Sequence, residues 1–448
     1  MPSLDRINEY VNTVCQQLRW KKAHIRVSEE MADHIIDGRD AYITQGMDED
    51  AATEKAIYET GDPIDIGTQL DRVHRPKPQW VMLIATAALL AIGILIRLFI
   101  FGDDGKPTNV LFYTGVGVAG MIAAYFADFT IIGKYPKAVY FVIVALTAAL
   151  AFLPQFWSRA AFYSQYIVLL FPLAYSAIIY ATRNKKRLGI LLCGVAIALP
   201  TIVTLFFPVM LGFFAPSTTG SMTGFLQSAF FGMALLGIAV YKKWFGTNRI
   251  HGFLSMLVPV AFLVIAFLVF MTPRDWWRLA AAFNPSIEPL AAGFKGSLTR
   301  GLLGGAAFFG EGIVPGEYSW FTTLHMAFDN DLVLTDLIVR YGWITFAVIL
   351  CVLGFFIYKG FRLCAKQRSA LGYYVSISIM TSFCMQAISY ISYNLGFQFA
   401  SPISLPLISF GNTATIINLV LIGFMLSVFR TGDVAVDKKI PLKLDKNP

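Results

Sequence analysis

After a polar opening, apolar residues gather into ten long runs. They fall near residues 80–101, 109–127, 137–154, 161–182, 188–212, 222–241, 252–271, 333–358, 371–395 and 405–429. Most are long enough to cross about 30 Å of hydrocarbon at about 1.5 Å of rise per residue. The pattern therefore predicts an all-α polytopic membrane protein with ten transmembrane helices. Residues 1–79 hold no such run and read as a small cytosolic helical domain. Residues 272–332 separate the seventh and eighth runs and form one large extracellular loop. The expected organisation is a prefix domain over 1–79, a membrane domain over 80–430, and a cytosolic basic tail over 431–448.

Composition agrees: 56% of the 448 residues are hydrophobic and 14% charged, with a mean hydropathy of +0.61. Charge then orients the chain. The prefix carries ten basic against fifteen acidic residues, so the net +8 of the whole chain arises after residue 79. With the N-terminus inside, the short inner loops hold thirteen Lys/Arg, while the short outer loops hold only Lys106 and Arg159. That asymmetry predicts cytosolic N- and C-termini and a multi-pass membrane protein. Basic charge on a membrane segment is a topology signal, and no nucleic-acid partner is expected. The five cysteines form no C-x-x-C, so neither disulfides nor a zinc site is expected. The charged opening predicts no cleavable signal peptide.

Within the prefix, "RVSEEMADHIIDGRDAYI" predicts a helix capped by Ser28, with Glu29 and Glu30 where the dipole favours anions. The next helix has Asp48 as cap, Gly61 as stop and Pro63 just beyond. No catalytic constellation occurs there, and residues 1–79 read as an interaction module for a cytosolic partner.

Candidate chemistry collects in the long loop. "RDWWRLAAAF" suits an amphipathic segment at the interface, and "GLLGGAAFFGEG" suits tight turns. "HMAFDNDLVLTDLIVRYGW" sets Asp329, Asp331 and Asp336 around the start of the eighth run, where carboxylates are costly. Asp331 stands near a helix N-terminus, as a catalytic carboxylate or a helix cap alike would. Asp336 points about 140° away from it and has Arg340 at i+4, the spacing of a charge pair. Asp329 and His325 could join Asp331 around a divalent cation, although the ligand set is not diagnostic. Glu311 reads as solvated.

Several stretches resemble the SEDS family, the RodA/FtsW/SpoVE proteins of cell-wall synthesis. "RDWWRLAAAFNPSIEPLAAGF" resembles an arginine preceding "N-P-x-x-D-P" and a glycine plus aromatic; Arg278, Asn284, Pro285, Pro289 and Gly293 hold those places, with Glu288 for the aspartate. "FFGEG" resembles the glycine-rich step that follows. "NDLVLTDLIVRYGW" resembles "T-D-F-I-F" and the helix behind it, with Asp331 on the aspartate. "NLGFQFASPISLPLISFGNTATIINLVLIGFMLSV" resembles the closing signature, through Asn394, Pro406, Ser409 and Gly411. The likeness covers about residues 272–430. In the first half, "FYSQYIVLLF" puts Gln165 where the family has a glutamate, with no lysine after it.

The resemblance implies polymerisation of lipid II, the undecaprenyl-linked precursor of peptidoglycan, at the outer face of the membrane. A class B penicillin-binding protein transpeptidase would be the partner. Such chemistry needs a base at the attacking hydroxyl and cations at the leaving pyrophosphate. Asp331 is the expected base. Of the outer cations Arg274, Arg278, Lys295 and Arg300, the resemblance favours Arg278, whose plain alternative is snorkelling beside Trp276 and Trp277. Asn284, Asp329, Gln165 and Ser409 complete the candidate substrate contacts, and a divalent cation is the one cofactor the residues could accommodate. Two other readings stand: a non-catalytic SEDS-fold scaffold or regulator of cell-wall synthesis or division, favoured by Gln165 and the prefix, and a flippase for the lipid-linked precursor.

Overall fold

The computed structural model describes residues 3–75, 78–100, 107–152, 166–210, 218–271, 273–318, 331–398, 402–409 and 411–432. All regular structure among them is helical. The chain forms two units, one built on Met1–Pro78 and one on Gln79–Lys366 with Leu371–Val428.

The first unit contains α1 (Ser3–Gln17), α2 (His24–Thr44), α3 (Glu49–Thr60) and α4 (Pro63–His74). Ile7, Val11 and Val14 recur along one face of α1 and meet Val27 and Ile35 of α2 and Ala56 of α3 in an apolar core. Asp48 caps α3 through the Asp50 amide, at 3.3 Å, and Asp62 caps α4 through the Asp65 amide, at 3.0 Å. Pro63 opens α4, where its missing N–H has no intrahelical acceptor to lose. Ser28 departs from expectation. A 3₁₀ turn at Lys21–Ala23 starts α2 one turn earlier, and the Ser28 hydroxyl donates back to the Ile25 carbonyl at 2.9 Å. It is an interior serine of the helix, not its cap.

The second unit runs through α5 (Trp80–Leu95, continued by a π-helical turn Ile96–Ile100), α6 (Pro107–Phe126), α7 (Thr130–Lys134), α8 (Pro136–Phe152) and α9 (Phe171–Thr182). It continues with α10 (Lys186–Met210), α11 (Thr218–Tyr241), α12 (Arg249–Phe270), α13 (Pro273–Phe283) and α14 (Phe294–Gly304). It ends with α15 (Val333–Tyr341), α16 (Trp343–Ala365), α17 (Ala370–Asn394) and α18 (Asn412–Thr431). Among the described residues six helices are long and apolar enough to cross a membrane: those at Trp80–Leu98, Asn109–Phe126, Arg249–Val269, Trp343–Ala365, Ala370–Asn394 and Asn412–Thr431. Three further apolar helices are shorter.

Two of the expected spans are interrupted. The eighth, read as 333–358, is two helices joined at Gly342, whose φ of 90° lies outside the range of ordinary side chains. A Cβ at Gly342 would also lie 2.5 Å from the Phe308 carbonyl oxygen. The glycine-rich stretch after α14 supplies what the break leaves unpaired. Gly310 and Gly312 donate to the Tyr341 and Val339 carbonyls at 3.2 and 2.8 Å, while the Trp343 and Ile344 amides donate to Ala307 and Phe308 at 3.1 and 3.2 Å. The last carbonyls of α15 and the first amides of α16 thus find partners in one strip of backbone.

The tenth span, read as 405–429, begins as a helix only at Asn412. Residues 402–409 are irregular yet buried. Irregular backbone inside an apolar domain persists only where protein groups satisfy it. Here Arg97, at the π turn that continues α5 and only 7% exposed, donates from Nη2 to the Ser409 carbonyl and, at 3.1 Å, to the Thr415 hydroxyl.

Candidate functional site

The described residues of the loop after α12 are more than half helical. Pro273 begins α13, leaving Trp276 and Trp277 about half exposed and Ala281 and Ala282 buried. The helix gives way at Asn284, whose Oδ1 accepts from the Ser286 amide at 3.3 Å and from the Ser286 hydroxyl. That capped turn brings the Pro285 carbonyl onto Gly293, where a Cβ would sit 2.1 Å from the oxygen. Only glycine permits this approach, and it aims the first turn of α14.

Lys295 lies in that turn. Its Nζ donates to Asp331 Oδ2 at 2.9 Å across 36 residues of sequence. Burial alone would lower the lysine pKa, but Tyr393 and Asp331 outweigh it and raise the value above the ordinary lysine range. The side chains are 36% and 32% exposed. A pair this accessible stabilises by about 1 kcal/mol at most. Its floor is apolar: Leu298 and Leu302 of α14 pack with Leu332, Val339 and Tyr393.

The Asp331 backbone is held from α17. Asn394 Nδ2 donates to the Asp331 and Tyr390 carbonyls, each at 2.9 Å. Its Oδ1 accepts from the Thr335 amide at 3.0 Å, and the Thr335 hydroxyl donates to the Asn394 carbonyl at 2.9 Å. One fully buried asparagine thus fixes the start of α15 to the end of α17. The N-cap of α15 is Leu332, with no side-chain cap bond, so Asp331 does not serve as that cap. Asp336 is buried in α15 and pairs with Arg340 at 2.8 Å, as its spacing predicts.

The remaining candidates are dispersed. Arg278 is half-buried midway along α13, while Asn284 is exposed and occupied with its own turn. Ser409 is buried; its Oγ accepts from the Leu405 amide at 2.7 Å, and its carbonyl receives Arg97. Arg300 donates to the carbonyls at the end of α13 and lies 5.2 Å from the Phe397 ring. Asp329, His325 and Gln165 lie outside the described residues. Among the described residues no His, Cys, Asp or Glu cluster could hold a metal ion.

Sequence reasoning counted Lys295 only among four outer cations, because nothing local links it to Asp331. Arg97 was missed altogether, although a lone arginine inside an apolar run is itself the signal of a buried polar task.

The FtsW/RodA/SpoVE family, described as cell cycle proteins, matches residues 207–433. A probable peptidoglycan glycosyltransferase FtsW of Thioalkalivibrio sulfidiphilus is 26% identical over 204 residues, 44% of this chain and 48% of that protein. Stage V sporulation protein E of Bacillus subtilis is 24% identical over 163 residues, 36% of this chain and 44% of that protein. The chain thus spans about half the length of the curated relatives it matches. Among solved structures, a chain from a peptidoglycan synthase complex that coordinates polymerization and crosslinking is similar with a TM-score of 0.54, at 15% identity, covering 79% of this chain and 98% of that one. A variant of the rod shape determining protein RodA from Thermus thermophilus gives 0.50 at 14% identity, with the same coverage. At these identities the likeness is one of fold.

Proposed function

The chain belongs to the FtsW/RodA/SpoVE family of cell cycle proteins and is an integral membrane protein, and from that premise we propose that it is a peptidoglycan glycosyltransferase. It extends lipid II at the outer face of the cytoplasmic membrane, with Asp331 as general base. The observation that carries this reading is the Lys295–Asp331 pair. It is too exposed to contribute much to folding, yet it joins the first turn of α14 to the turn before α15 and is held from α17.

In the proposed step a sugar hydroxyl of one precursor attacks the anomeric carbon of another. The new glycosidic C–O bond forms as the bond to the polyprenyl pyrophosphate breaks, and the hydroxyl proton passes to Asp331. Lys295 engages Oδ2, which orients the carboxylate so that Oδ1 receives the proton. The same ammonium, with Arg278 on α13, supplies positive charge for the departing pyrophosphate. A class B penicillin-binding protein is the proposed partner, in keeping with the synthase complex whose fold this chain shares. The first unit, residues 1–78, is left for a separate cytosolic partner.

The test is polymerisation of lipid II by the purified full chain, alone and with candidate transpeptidases. A glycan ladder is expected, with the Asp331→Asn variant slower by about 10²–10⁴-fold, the usual contribution of a positioned general base, while its unfolding temperature stays near wild type. A ladder indifferent to Asp331→Asn would remove the carboxylate from the chemistry. No ladder from folded, partner-bound wild type would leave a scaffold on the same fold.

A further inference from the structure

Basic residues of the inner loops serve topology, but at one place they also line a cavity. Lys185, Lys186, Arg187, Thr247, Asn248 and His251, with Leu188, surround about 480 Å³ of open space. No carboxylate is among them. Three neighbouring cations are engaged elsewhere: Arg183 lies 4.1 Å from the Tyr180 ring, Lys242 3.4 Å from Tyr373, and Arg249 4.4 Å from Tyr241.

The two walls are held in register. The Asn184 and Lys186 amides donate to the Trp244 and Phe245 carbonyls at 3.0 and 2.9 Å. Asn184, Lys186 and Lys243 all adopt positive φ, at 63°, 51° and 58°, so each turn is fixed in a conformation that side chains disfavour. α10 and α12 both begin at this cavity, and farther along a Cβ on Gly194 would fall 2.5 Å from the Pro259 side chain, so the helices run in close contact. Two long helices therefore turn their N-terminal dipoles towards the same basic space. Asn248, the N-cap of α12, makes no side-chain cap bond.

Apolar surface leads away from the cavity along both helices. Leu188 and Val195 of α10 are 60% and 62% exposed, and Ile250 and Leu254 of α12 are 68% and 56% exposed. A soluble anion has no use for such flanks, whereas acyl chains fit them.

We propose that this cavity binds the phosphate of an anionic phospholipid. The headgroup sits between Lys185–Arg187 and the Thr247–His251 turn, and the chains lie along the exposed stripes of α10 and α12. The site is separate from the Lys295–Asp331 pair and does not depend on the activity assigned to that pair.

The test is native mass spectrometry of the delipidated full chain in detergent, titrated with phosphatidylglycerol or with phosphatidylcholine of matched chains. Phosphatidylglycerol is expected to bind about tenfold more tightly, a fraction of what three surface cations can supply. The K185Q/K186Q/R187Q variant should lose that preference, while K359Q/R362Q/K366Q, which removes equal charge from the C-terminal end of α16, should keep it. T247V/H251L leaves the Lys and Arg content intact and should weaken phosphatidylglycerol about tenfold, the loss of two neutral hydrogen bonds. Equal loss in both triple variants would overturn the site in favour of general surface charge. Equal binding of the two lipids would overturn it outright. Displacement of the lipid by inorganic phosphate at matched concentration would replace the lipid with a soluble phosphate ligand.

Discussion

Two expected membrane spans are broken in this structure, and they are mended differently. At Gly342 the repair is backbone to backbone: residues 307–312 supply donors to the end of α15 and acceptors to the start of α16. At residues 402–409 the repair is a charged side chain, Arg97, reaching the Ser409 carbonyl and the Thr415 hydroxyl from the end of α5. The first solution asks for glycine and shape, the second for one specific cation in an apolar setting. A backbone repair tolerates many side-chain changes around it. A repair that rests on one side chain is exposed to changes at that residue.

The contrast can be broken most sharply at Arg97. Arg97→Leu leaves two buried acceptors without their donor, a loss of about 3 kcal/mol. It should appear as a lower unfolding temperature in detergent and as faster hydrogen exchange over 402–409, with Arg97→Lys recovering part of both. Next comes Gly342→Val. It forces a branched side chain to positive φ against the Phe308 carbonyl, for about 2 kcal/mol. Exchange should then rise at 305–312 and 339–344, while 402–409 stays protected. If either variant loosened both regions equally, the two repairs would be one cooperative structure.

A smaller effect on stability is expected at the candidate site. Lys295→Gln should cost about 1 kcal/mol or less in unfolding, since the pair is a third exposed. It should nevertheless slow lipid II polymerisation with Asp331 intact. A variant of undiminished activity would leave Lys295 a surface cation. The weakest effect is that of pH. The folded pKa of Lys295 is raised, so the stability it contributes is fully present below the ordinary lysine value of about 10.4. That contribution is lost only as pH rises through the higher folded value. Unfolding of wild type relative to Lys295→Gln should therefore be flat from neutral pH to about pH 9 and converge above it.

Local patterns were readable in the sequence. The Asp48 cap, the Gly61 stop and the Asp336–Arg340 pair each join residues within a few positions, and the chain alone specifies them. Ser28 shows the limit of such reading, because a serine followed by acids looks like a cap whether the helix begins there or a turn earlier. The break at Gly342 was hidden by hydropathy, which averages over one residue, although glycine within a helical run was a warning. Lys295 with Asp331, Asn394 with Thr335, and Arg97 with Ser409 join residues 36, 59 and 312 apart. Resemblance to the SEDS family marked Asp331, Asn394 and Ser409 as notable positions. It could not say that Asn394 is the brace on which Asp331 depends.

The separation between Arg97 and Ser409 also dictates an order of assembly. The strip that mends the Gly342 junction is synthesised some thirty residues before it, so that junction can close as soon as α16 emerges. Residues 402–409 must instead find an arginine made 312 residues earlier. Closing so long a loop costs about 2 kcal/mol more chain entropy than closing one of some thirty residues, and Arg97 has to wait in the growing bundle without its final acceptors. Among the described helices of the second unit, the last, α18, thus holds the turn that continues the first, α5.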